Sequence, residues 1–420
     1  MSAHGRVLLV NPTITSRRHA RFPLSIMTMA AALEGRYDSM LIDGNMDRDA
    51  VRSTSGAVEK HRFDAVGVTV MGGPQVATAI AVSKAVRRAR PDVPIVWGGY
   101  FPTLYPDVAL NSDYVDFVIR GQGEDTFDEL LGALVSGERG DLGAIKGLSW
   151  RRDGATVSNA ERVLNRERIA PALNYGSLSD AKAYLVKTFL GQRTAAHQAA
   201  LGCRFRCTFC GVAAMFGGTT VLPPAQRVDR DLAVLKRWIG ADSIQFYDHN
   251  FFDREATSLP VLDVLAHLDM PWWCYARADT LAGFPASTWE KIRKSRLRMT
   301  YIGAETGSDE ALARMRKGSK VEHTLEVAAR CREFGVIPEL SFILGGPDDP
   351  EGEVDRTFAF IRRVKRINPD AEIVLYFYSP TPQRERAPSG TRPDASALPV
   401  MRAYGPSGPA LPETPEEWTE

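Results

Sequence analysis

The chain has 420 residues, 44% of them hydrophobic and 25% charged, which is the composition of a soluble globular protein. A single hydrophobic core rarely grows beyond roughly 250–300 residues, so the length predicts at least two domains. Lys and Arg total 52 against 51 Asp and Glu, and this balance gives no general reason to expect a nucleic acid or an acidic membrane as partner.

The N-terminus and the cysteines predict a cytoplasmic protein. The first apolar run is too short for a secretory signal, and no apolar run in the sequence is long enough to span a bilayer. Five cysteines are an odd number, and a cluster of three among them argues against a disulfide framework. We therefore expect a reducing compartment and no transmembrane segment.

The first third of the chain alternates apolar runs with helical patterns. Strands are predicted at 6–12, 39–44, 64–73, 93–99 and 115–124. Continuous apolar runs separated by helices are typical of a doubly wound parallel sheet, Rossmann-like, with helices on both faces. Ligands of such sheets bind at the carboxyl ends of the strands.

Glycines mark three of these strand ends, at Gly72 and Gly73, Gly98 and Gly99, and Gly121 and Gly123. Each pair alone is typical of an ordinary turn, but three together favour an edge at which backbone approaches a bulky ligand. The first strand is followed by "NPTITSRRH" and not by G-x-G-x-x-G, which argues against a nicotinamide or flavin site.

Composition predicts four segments along the chain. Residues 1–137 form the first domain, and residues 138–193 form a linker with a small hairpin ("KGLSWRRDGATV") and one or two helices. Residues 194–382 form the second domain. Residues 383–420 are rich in Pro and Gly and are predicted to be a disordered tail.

The second domain has six strand candidates, recurring roughly every 30–40 residues, which suits one βα unit each. They lie at 194–202, 242–248, 271–279, 298–306, 337–345 and 371–379. The pattern predicts a partial (β/α)6, TIM-like barrel, whose chemistry belongs to the loops after the strands.

The loop after the first of these strands reads "GCRFRCTFCGV" and places Cys203, Cys207 and Cys210 in a C-x3-C-x2-C pattern. Thiolates select zinc, copper or iron–sulfur clusters, and a structural zinc site needs four ligands. Cys274 and Cys331 are isolated and are predicted to be buried structural thiols. Three thiolates suit a four-iron cluster with one open iron, while zinc with a distant ligand such as His249 remains an alternative.

The cysteine loop resembles the C-x3-C-x2-C motif of the radical S-adenosylmethionine (SAM) superfamily, including the aromatic Phe209. Four downstream segments resemble that superfamily in the same order. They are "FYDHNFF" (246–252), "ARADTL" (276–281), "YIGAETGSDEALARMRKG" (301–318) and "SFILGGPDDPEGE" (341–353). The resemblance spans about residues 194–380; "TPQR", after the last strand, departs from the P-x-P-G-T of relatives.

This resemblance implies a role for each matching residue. Cys203, Cys207 and Cys210 would hold a [4Fe-4S] cluster, whose open iron would chelate SAM. The expected SAM contacts are Phe209 beside the cluster, Asp248 and Arg277 at the amino-acid end, Glu305 at the ribose, and Ile343 and Gly345 at the adenine. Without the resemblance, Arg277 would form a local ion pair with Asp279, and Glu305 would be a helix-start carboxylate.

Residues 1–135 resemble the cobalamin-binding domain of the cobalamin-dependent branch of that superfamily. The matching pieces include "VGVTVMGG", "VWGGYFPTLYPDVAL" and "FVIRGQGEDTFDEL". The D-x-H-x-x-G motif of other cobalamin proteins does not occur, as is common in this branch. The expected cobalamin contacts are Thr69, Gly72, Gly98, Gly99, Gly121, Gly123 and Glu124.

The resemblance implies an enzyme that cleaves SAM reductively and, with cobalamin, methylates an unactivated carbon of a small molecule. A lipid and a tetrapyrrole are candidate substrates, and a flavodoxin or ferredoxin is the expected electron donor. Two alternatives remain. One is a cyclase or rearrangement enzyme of the anaerobic porphyrin cyclase type, without methyl transfer. The other is a non-catalytic cobalamin-binding regulatory module.

Overall fold

The structure is a computed structural model that describes residues 5–136, 142–164, 172–346 and 349–378. The chain forms two compact units. The first contains the described residues up to Asp180 together with Ala214–Phe216, and the second contains Ala181–Ala213 and the described residues from Gly217 to Tyr378. Among the described residues, none of the helices is long and apolar enough to cross a bilayer.

One seven-stranded sheet forms the centre of the first unit. Its strands are β1 (Gly5–Asn11), β2 (Tyr37–Asp43), β3 (Ala65–Thr69), β4 (Ile95–Gly98), β5 (Phe117–Ile119), β6 (Leu148–Arg152) and β7 (Ala155–Ser158). Their order in the sheet is β2-β1-β3-β4-β5-β6-β7, and β1 to β5 pair in parallel.

Helices cover both faces of this sheet. They are α1 (Leu24–Leu33), α2 (Ala50–Lys60), α3 (Pro74–Ala89), α4 (Tyr100–Leu104), α5 (Pro106–Leu110) and α6 (Glu124–Val135). Alternate residues of β1 point to opposite faces, so Leu8 and Val10 join one apolar core while Val7 and Leu9 join another. The predicted doubly wound sheet is confirmed.

The segment predicted as a linker differs from the prediction in two respects. The hairpin of β6 and β7 forms, but β6 pairs antiparallel with β5, so the hairpin extends the first sheet. In place of the one or two predicted helices, the described residues of this segment form short 3-10 turns at Leu142–Ala144, Tyr175–Ser177 and Ala181–Tyr184. The segment is polar and lacks the periodic apolar stripe that stabilises a helix by packing.

Most strands of the second unit form one parallel sheet. The strands of the unit are β8 (Thr194–His197), β9 (Leu201–Gly202), β10 (Thr220–Val221), β11 (Ser243–Phe246), β12 (Trp272–Ala276), β13 (Leu297–Glu305), β14 (Ile337–Leu344) and β15 (Glu372–Phe377). Six of them pair in the order β8-β11-β12-β13-β14-β15, all in parallel.

The helices that follow these strands are α7 (Gly211–Phe216), α8 (Ala225–Val234), α9 (Glu255–Leu268), α10 (Ala278–Ala282), α11 (Ala286–Lys294), α12 (Asp309–Arg314), α13 (Val321–Phe334) and α14 (Pro350–Ile367). Because β8 and β15 are the two ends of the six-stranded sheet, the barrel is partial, as predicted. The single strand predicted at 194–202 is divided into β8 and β9. The tail predicted from residue 383 lies outside the described residues.

Candidate active site

The three clustered cysteines lie on a loop whose ends are joined by a short strand pair. β9 and β10 pair antiparallel through Gly202 and Thr220, and Gly202 adopts a φ of +80°, a conformation that favours glycine. Within the loop, the backbone N–H of Cys210 donates to the carbonyl of Cys207 at 3.2 Å. The N–H of Thr208 donates to the carbonyl of Met315 at 2.9 Å, which ties the loop to the segment after α12.

The thiols of this loop are free and largely shielded from water. Burial raises the pKa of Cys203 and of Cys210, and neighbouring cysteines of the loop raise it further. A thiol with a raised pKa is a poor thiolate by itself, but a bound metal deprotonates it. The loop therefore suits metal ligation better than nucleophilic chemistry.

Within the described ranges, no group of three or more His, Cys, Asp or Glu side chains is arranged to hold a single metal ion. The thiolates of a four-iron cluster each bind a different iron and need not converge on one point. Ligation of a cluster by the three cysteines stays a prediction, as does the zinc alternative with His249.

Arg277 connects the cysteine loop to the end of β12. Its guanidinium donates to Cys207 Sγ at 3.4 Å, and its carbon Cζ lies 3.6 Å from the centre of the Phe205 ring. Two further nitrogens donate to the carboxylate of Asp279, at 2.9 and 3.0 Å, and one also donates to the carbonyl of Lys317. The local ion pair expected for Arg277 forms, and the same side chain reaches a predicted cluster ligand.

Asp248 supports the backbone that leads into the cysteine loop. Its carboxylate accepts hydrogen bonds from the N–H of Ala199, at 3.1 Å, and from that of Ala200. The side chain is fully buried, and burial raises its pKa to about 7. The described contacts give Asp248 a positioning role, and its predicted contact with SAM stays a prediction.

Glu305 and Lys317 form a buried ion pair beside the loop, with 2.5 Å between Oε1 and Nζ. Glu305 ends β13 with a φ of +66°, unusual for a residue with a side chain. Lys317 Nζ also lies 5.6 Å from the centre of the Phe209 ring. The interpretation of Glu305 as a helix-start carboxylate is wrong, because α12 begins at Asp309 and Ser308 caps it.

Gly303 explains why this pair fits. A Cβ at position 303 would lie 2.1 Å from Glu305 Oε1 and 2.7 Å from Lys317 Nζ. The missing side chain therefore leaves the space that the ion pair fills. The two remaining SAM candidates lie at the end of β14, where Ile343 pairs with Tyr376 and Gly345 adopts a φ of +75°.

The cobalamin candidates lie at the carboxyl ends of β3, β4 and β5. The strand order β2-β1-β3-β4-β5 is that of flavodoxin-like folds, which bind ligands at this edge. Gly99 has a φ of +104°, and a Cβ there would lie 2.9 Å from the carbonyl oxygen of Val70 and 3.3 Å from Thr69 Oγ1. Glycine at this position is thus required by close packing against the end of β3, and its contact with cobalamin stays a prediction.

The other candidates of this edge occupy the loops around it. Gly72 has a φ of +127°, and a Cβ added to it would have no atom within 4 Å. The same is true of a Cβ added to Gly73, which precedes α3. Gly98 is the last residue of β4, and the N–H of Gly121 donates to Thr103 Oγ1 at 3.0 Å. Gly123 precedes α6, and Glu124 is its first residue.

A buried polar network at the same edge was missed by the sequence analysis. Asn11 donates to Asp43 Oδ1 at 2.7 Å, and Gln75 donates to Asn11 Oδ1 at 3.0 Å. Gln75 Oε1 accepts from the N–H of Met71 at 2.7 Å, so the network fixes the loop between β3 and α3. The available signal was that each of two apolar strands ends in a polar residue, Asn11 in β1 and Asp43 in β2. Lys317 was missed because a lysine near a helix end is usually solvated.

Comparison with known families agrees with this architecture. The B12 binding domain family matches residues 12–131, and the radical SAM superfamily matches residues 199–361. The matched ranges contain all of the predicted cobalamin contacts and all of the predicted cluster and SAM contacts, respectively. The chain therefore carries a B12 binding domain followed by a radical SAM domain.

Individual relatives are similar over most of this chain. An uncharacterized methyltransferase of Pyrococcus horikoshii is 27% identical, over 81% of this chain and 73% of its own length. The anaerobic magnesium-protoporphyrin IX monomethyl ester cyclase of Synechocystis is 24% identical, over 71% of this chain and 58% of its own length.

A solved structure confirms the fold class. The radical SAM methyltransferase TsrM of Kitasatospora setae, with cobalamin and a [4Fe-4S] cluster bound, superimposes with a TM-score of 0.72 at 19% identity. The match covers 89% of this chain and 72% of TsrM. The predicted use of cobalamin and SAM is confirmed at the level of the two matched families.

Proposed function

We propose that the protein is a cobalamin-dependent radical SAM enzyme that methylates an unactivated carbon of a small molecule. The observation that carries the proposal is that two features occur in the same chain. They are a C-x3-C-x2-C loop within a radical SAM domain and a B12 binding domain that precedes it. The similarity to a methyltransferase of Pyrococcus horikoshii over 81% of the chain favours methyl transfer.

Cys203, Cys207 and Cys210 would hold a [4Fe-4S] cluster. When bound, the cluster supplies the electron that cleaves SAM, and cobalamin carries the methyl group. Arg277 holds Cys207 and stacks on Phe205, so the loop is fixed before any ligand arrives. Asp248 fixes the approach to the loop, and Lys317 orients Glu305 for its proposed contact with the ribose.

The proposal places the protein in a reducing compartment, and we assign it to the cytoplasm. All five cysteines are free thiols, as is usual in a compartment whose reductants keep thiols reduced. A flavodoxin or a ferredoxin is the proposed electron donor, because the reaction consumes one electron at low potential for each SAM cleaved.

An anaerobic reconstitution tests the proposal. The full chain is loaded with iron, sulfide and cobalamin, SAM and a strong reductant are added, and 5′-deoxyadenosine and S-adenosylhomocysteine are quantified. Formation of both products supports methyl transfer. Neither product, in protein shown to contain iron and cobalamin, contradicts the proposal.

A second candidate function is cyclisation or rearrangement without methyl transfer. The similarity to the Synechocystis cyclase over 71% of this chain favours it. In the same assay this function predicts 5′-deoxyadenosine without S-adenosylhomocysteine. The domain matches to an enzyme superfamily argue against a non-catalytic regulatory module.

A further inference from the structure

We propose that the inner face of the second sheet binds the substrate by an amine or quaternary ammonium group, held between aromatic rings and the carboxylates of Glu339 and Glu372. This inference rests on the proposed function, because it assigns the chemical class of the substrate of that enzyme. The inner face is defined by Tyr247, Trp273, Tyr275, Tyr301, Glu339 and Glu372.

The two faces of the sheet are distinguished by what packs on them. Trp272 Nε1 donates to the carbonyl of Ser295, just after α11, at 2.8 Å, and Phe342 packs on Phe360 of α14. These residues mark the face covered by helices. Trp273 and Tyr275 alternate with Trp272 along β12, so they lie on the opposite face.

Aromatic rings form a continuous group on this opposite face. Trp273 and Tyr275 have ring centres 4.6 Å apart at 71°, and Tyr275 and Tyr301 are 5.1 Å apart at 70°. Tyr247 and Tyr275 are 6.1 Å apart at 61°. These pairs are edge-to-face, which is the usual arrangement of packed aromatic rings, and a cation would bind over a ring face that no neighbouring edge covers.

Two glutamates lie on the same face as these aromatic rings. Glu339 Oε2 accepts a hydrogen bond from Trp273 Nε1 at 3.1 Å, and Glu339 pairs with Glu372 across β14 and β15. Burial raises the pKa of Glu339, and the charge of Glu372 raises it further; no Lys or Arg is among the groups that shift it. A cationic ligand beside the two carboxylates would favour the charged form of each.

Packing explains part of this face, because Leu190, Trp273 and Met299 form a buried apolar cluster against which Tyr275 and Tyr301 pack. Tyr275 and Tyr301 are only partly buried, so part of their ring surface is open to a ligand. Like charges directly opposite each other are destabilising, and because Glu372 is exposed, water screens only part of its repulsion with the half-buried Glu339. An amine or ammonium ligand compensates for it, and the same charges disfavour a substrate that presents carboxylates to this face.

The test compares two probes of equal shape. Choline carries a quaternary ammonium, and 3,3-dimethylbutan-1-ol is its neutral analogue. Binding of each to the full-length, anaerobically reconstituted protein is measured by ligand-observed NMR. We expect choline to bind at least tenfold more tightly than the alcohol, Glu339→Gln to reduce this preference about tenfold, and Tyr275→Leu to weaken choline binding.

Two controls make the result specific. Glu290→Gln removes an exposed carboxylate from α11 and should leave the preference for choline unchanged. Tyr301→Phe keeps the ring and should retain choline binding. Equal affinity for both probes, or a preference that survives Glu339→Gln in folded protein, overturns the inference. SAM cleavage by the wild-type protein is assayed separately, so failure of the proposed function is distinguishable from failure of this inference.

Discussion

Glu305 and Lys317 neutralise each other in a buried position, with 2.5 Å between the carboxylate and the ammonium. Gly303 provides the space for both groups, which links three residues of one sequence segment to a single geometric requirement. The pair is proposed to stabilise the fold, and Glu305 is also proposed to bind SAM. A single and a double variant separate these two effects.

We expect Glu305→Gln to destabilise the protein by about 3–5 kcal/mol, because it leaves Lys317 buried without a counter-charge. The same change should weaken SAM binding without loss of iron. The double variant Glu305→Gln with Lys317→Met should recover thermal stability but not SAM affinity. Melting temperatures and equilibrium dialysis of SAM under anaerobic conditions measure the two effects. Recovery of SAM affinity along with stability would mean that Glu305 acts only through the fold.

Arg277→Lys should make the reduction potential of the proposed cluster more negative. The hydrogen bond from Arg277 to Cys207 stabilises the additional negative charge of the reduced state, and hydrogen bonds to ligating sulfurs are known to set such potentials. Lysine keeps the charge but lacks the planar group that joins Cys207, Asp279 and the Phe205 ring. A redox titration followed by electron paramagnetic resonance measures the midpoint. The exposed Arg293→Lys is the matched control, and equal midpoints for both variants would contradict the prediction.

Cys207→Ala should abolish iron-linked absorbance and SAM cleavage while cobalamin binding persists, because the thiolate is a predicted ligand. Cys331→Ala is the control, since Cys331 is a buried thiol on α13 away from the loop in sequence. We expect Cys331→Ala to retain the iron. Iron content, absorbance and 5′-deoxyadenosine formation are measured on both variants. SAM cleavage by Cys207→Ala would refute the assignment of the cluster.

Gly99→Ala should weaken cobalamin binding and lower stability. Its φ of +104° strains any side chain, and the added Cβ would lie 2.9 Å from the carbonyl oxygen of Val70. Gly132→Ala, within α6 and with nothing near its Cβ, is the control and should stabilise the helix by about 1 kcal/mol. Absorbance titrations with cobalamin and thermal melts provide the measurements. Unchanged cobalamin affinity in folded Gly99→Ala protein would remove Gly99 from the binding edge.

Asp248→Asn should change how stability depends on pH. The pKa of Asp248 is raised from 3.8 to about 7, so its stabilising contribution is present below pH 4 and is lost as the pH rises to 7. The difference in stability between wild type and variant should therefore fall over this range, by at most about 1.4 kcal/mol per pH unit. His197 and His249, whose pKa values burial lowers to about 4, have the opposite slope but remain in both proteins. Thermal melts from pH 4 to 8 measure the difference, and a constant difference would contradict the prediction.

The sequence was sufficient to predict the strands whose apolar runs are continuous, because such runs are typical of strands buried on both faces of a parallel sheet. It predicted the hairpin of β6 and β7 but not the place of this hairpin in the first sheet, since nothing local in "LSWRR" specifies antiparallel pairing with β5. Long-range pairing depends on which sheet edge is free, and that is a property of the folded unit.

The candidate site was predictable where spacing along the chain carries the chemistry, as in the cysteine loop. It was less predictable where distant segments meet. Arg277 and Cys207 are 70 positions apart, and Trp273 and Glu339 are 66 apart. Such contacts follow from the register of neighbouring strands, which periodicity alone does not fix.

The strand order of the second sheet follows the chain order, from β8 through β11 to β15. During synthesis, each new strand can therefore pair with the strand completed before it. The carboxylate of Asp248, just after β11, secures the entry to the cysteine loop as soon as the first pair forms. The contacts of the loop with Arg277 and Met315 come only with later strands. The cysteine loop thus acquires its contacts in two stages, the first with β11 and the rest only after β12 and α12 have formed.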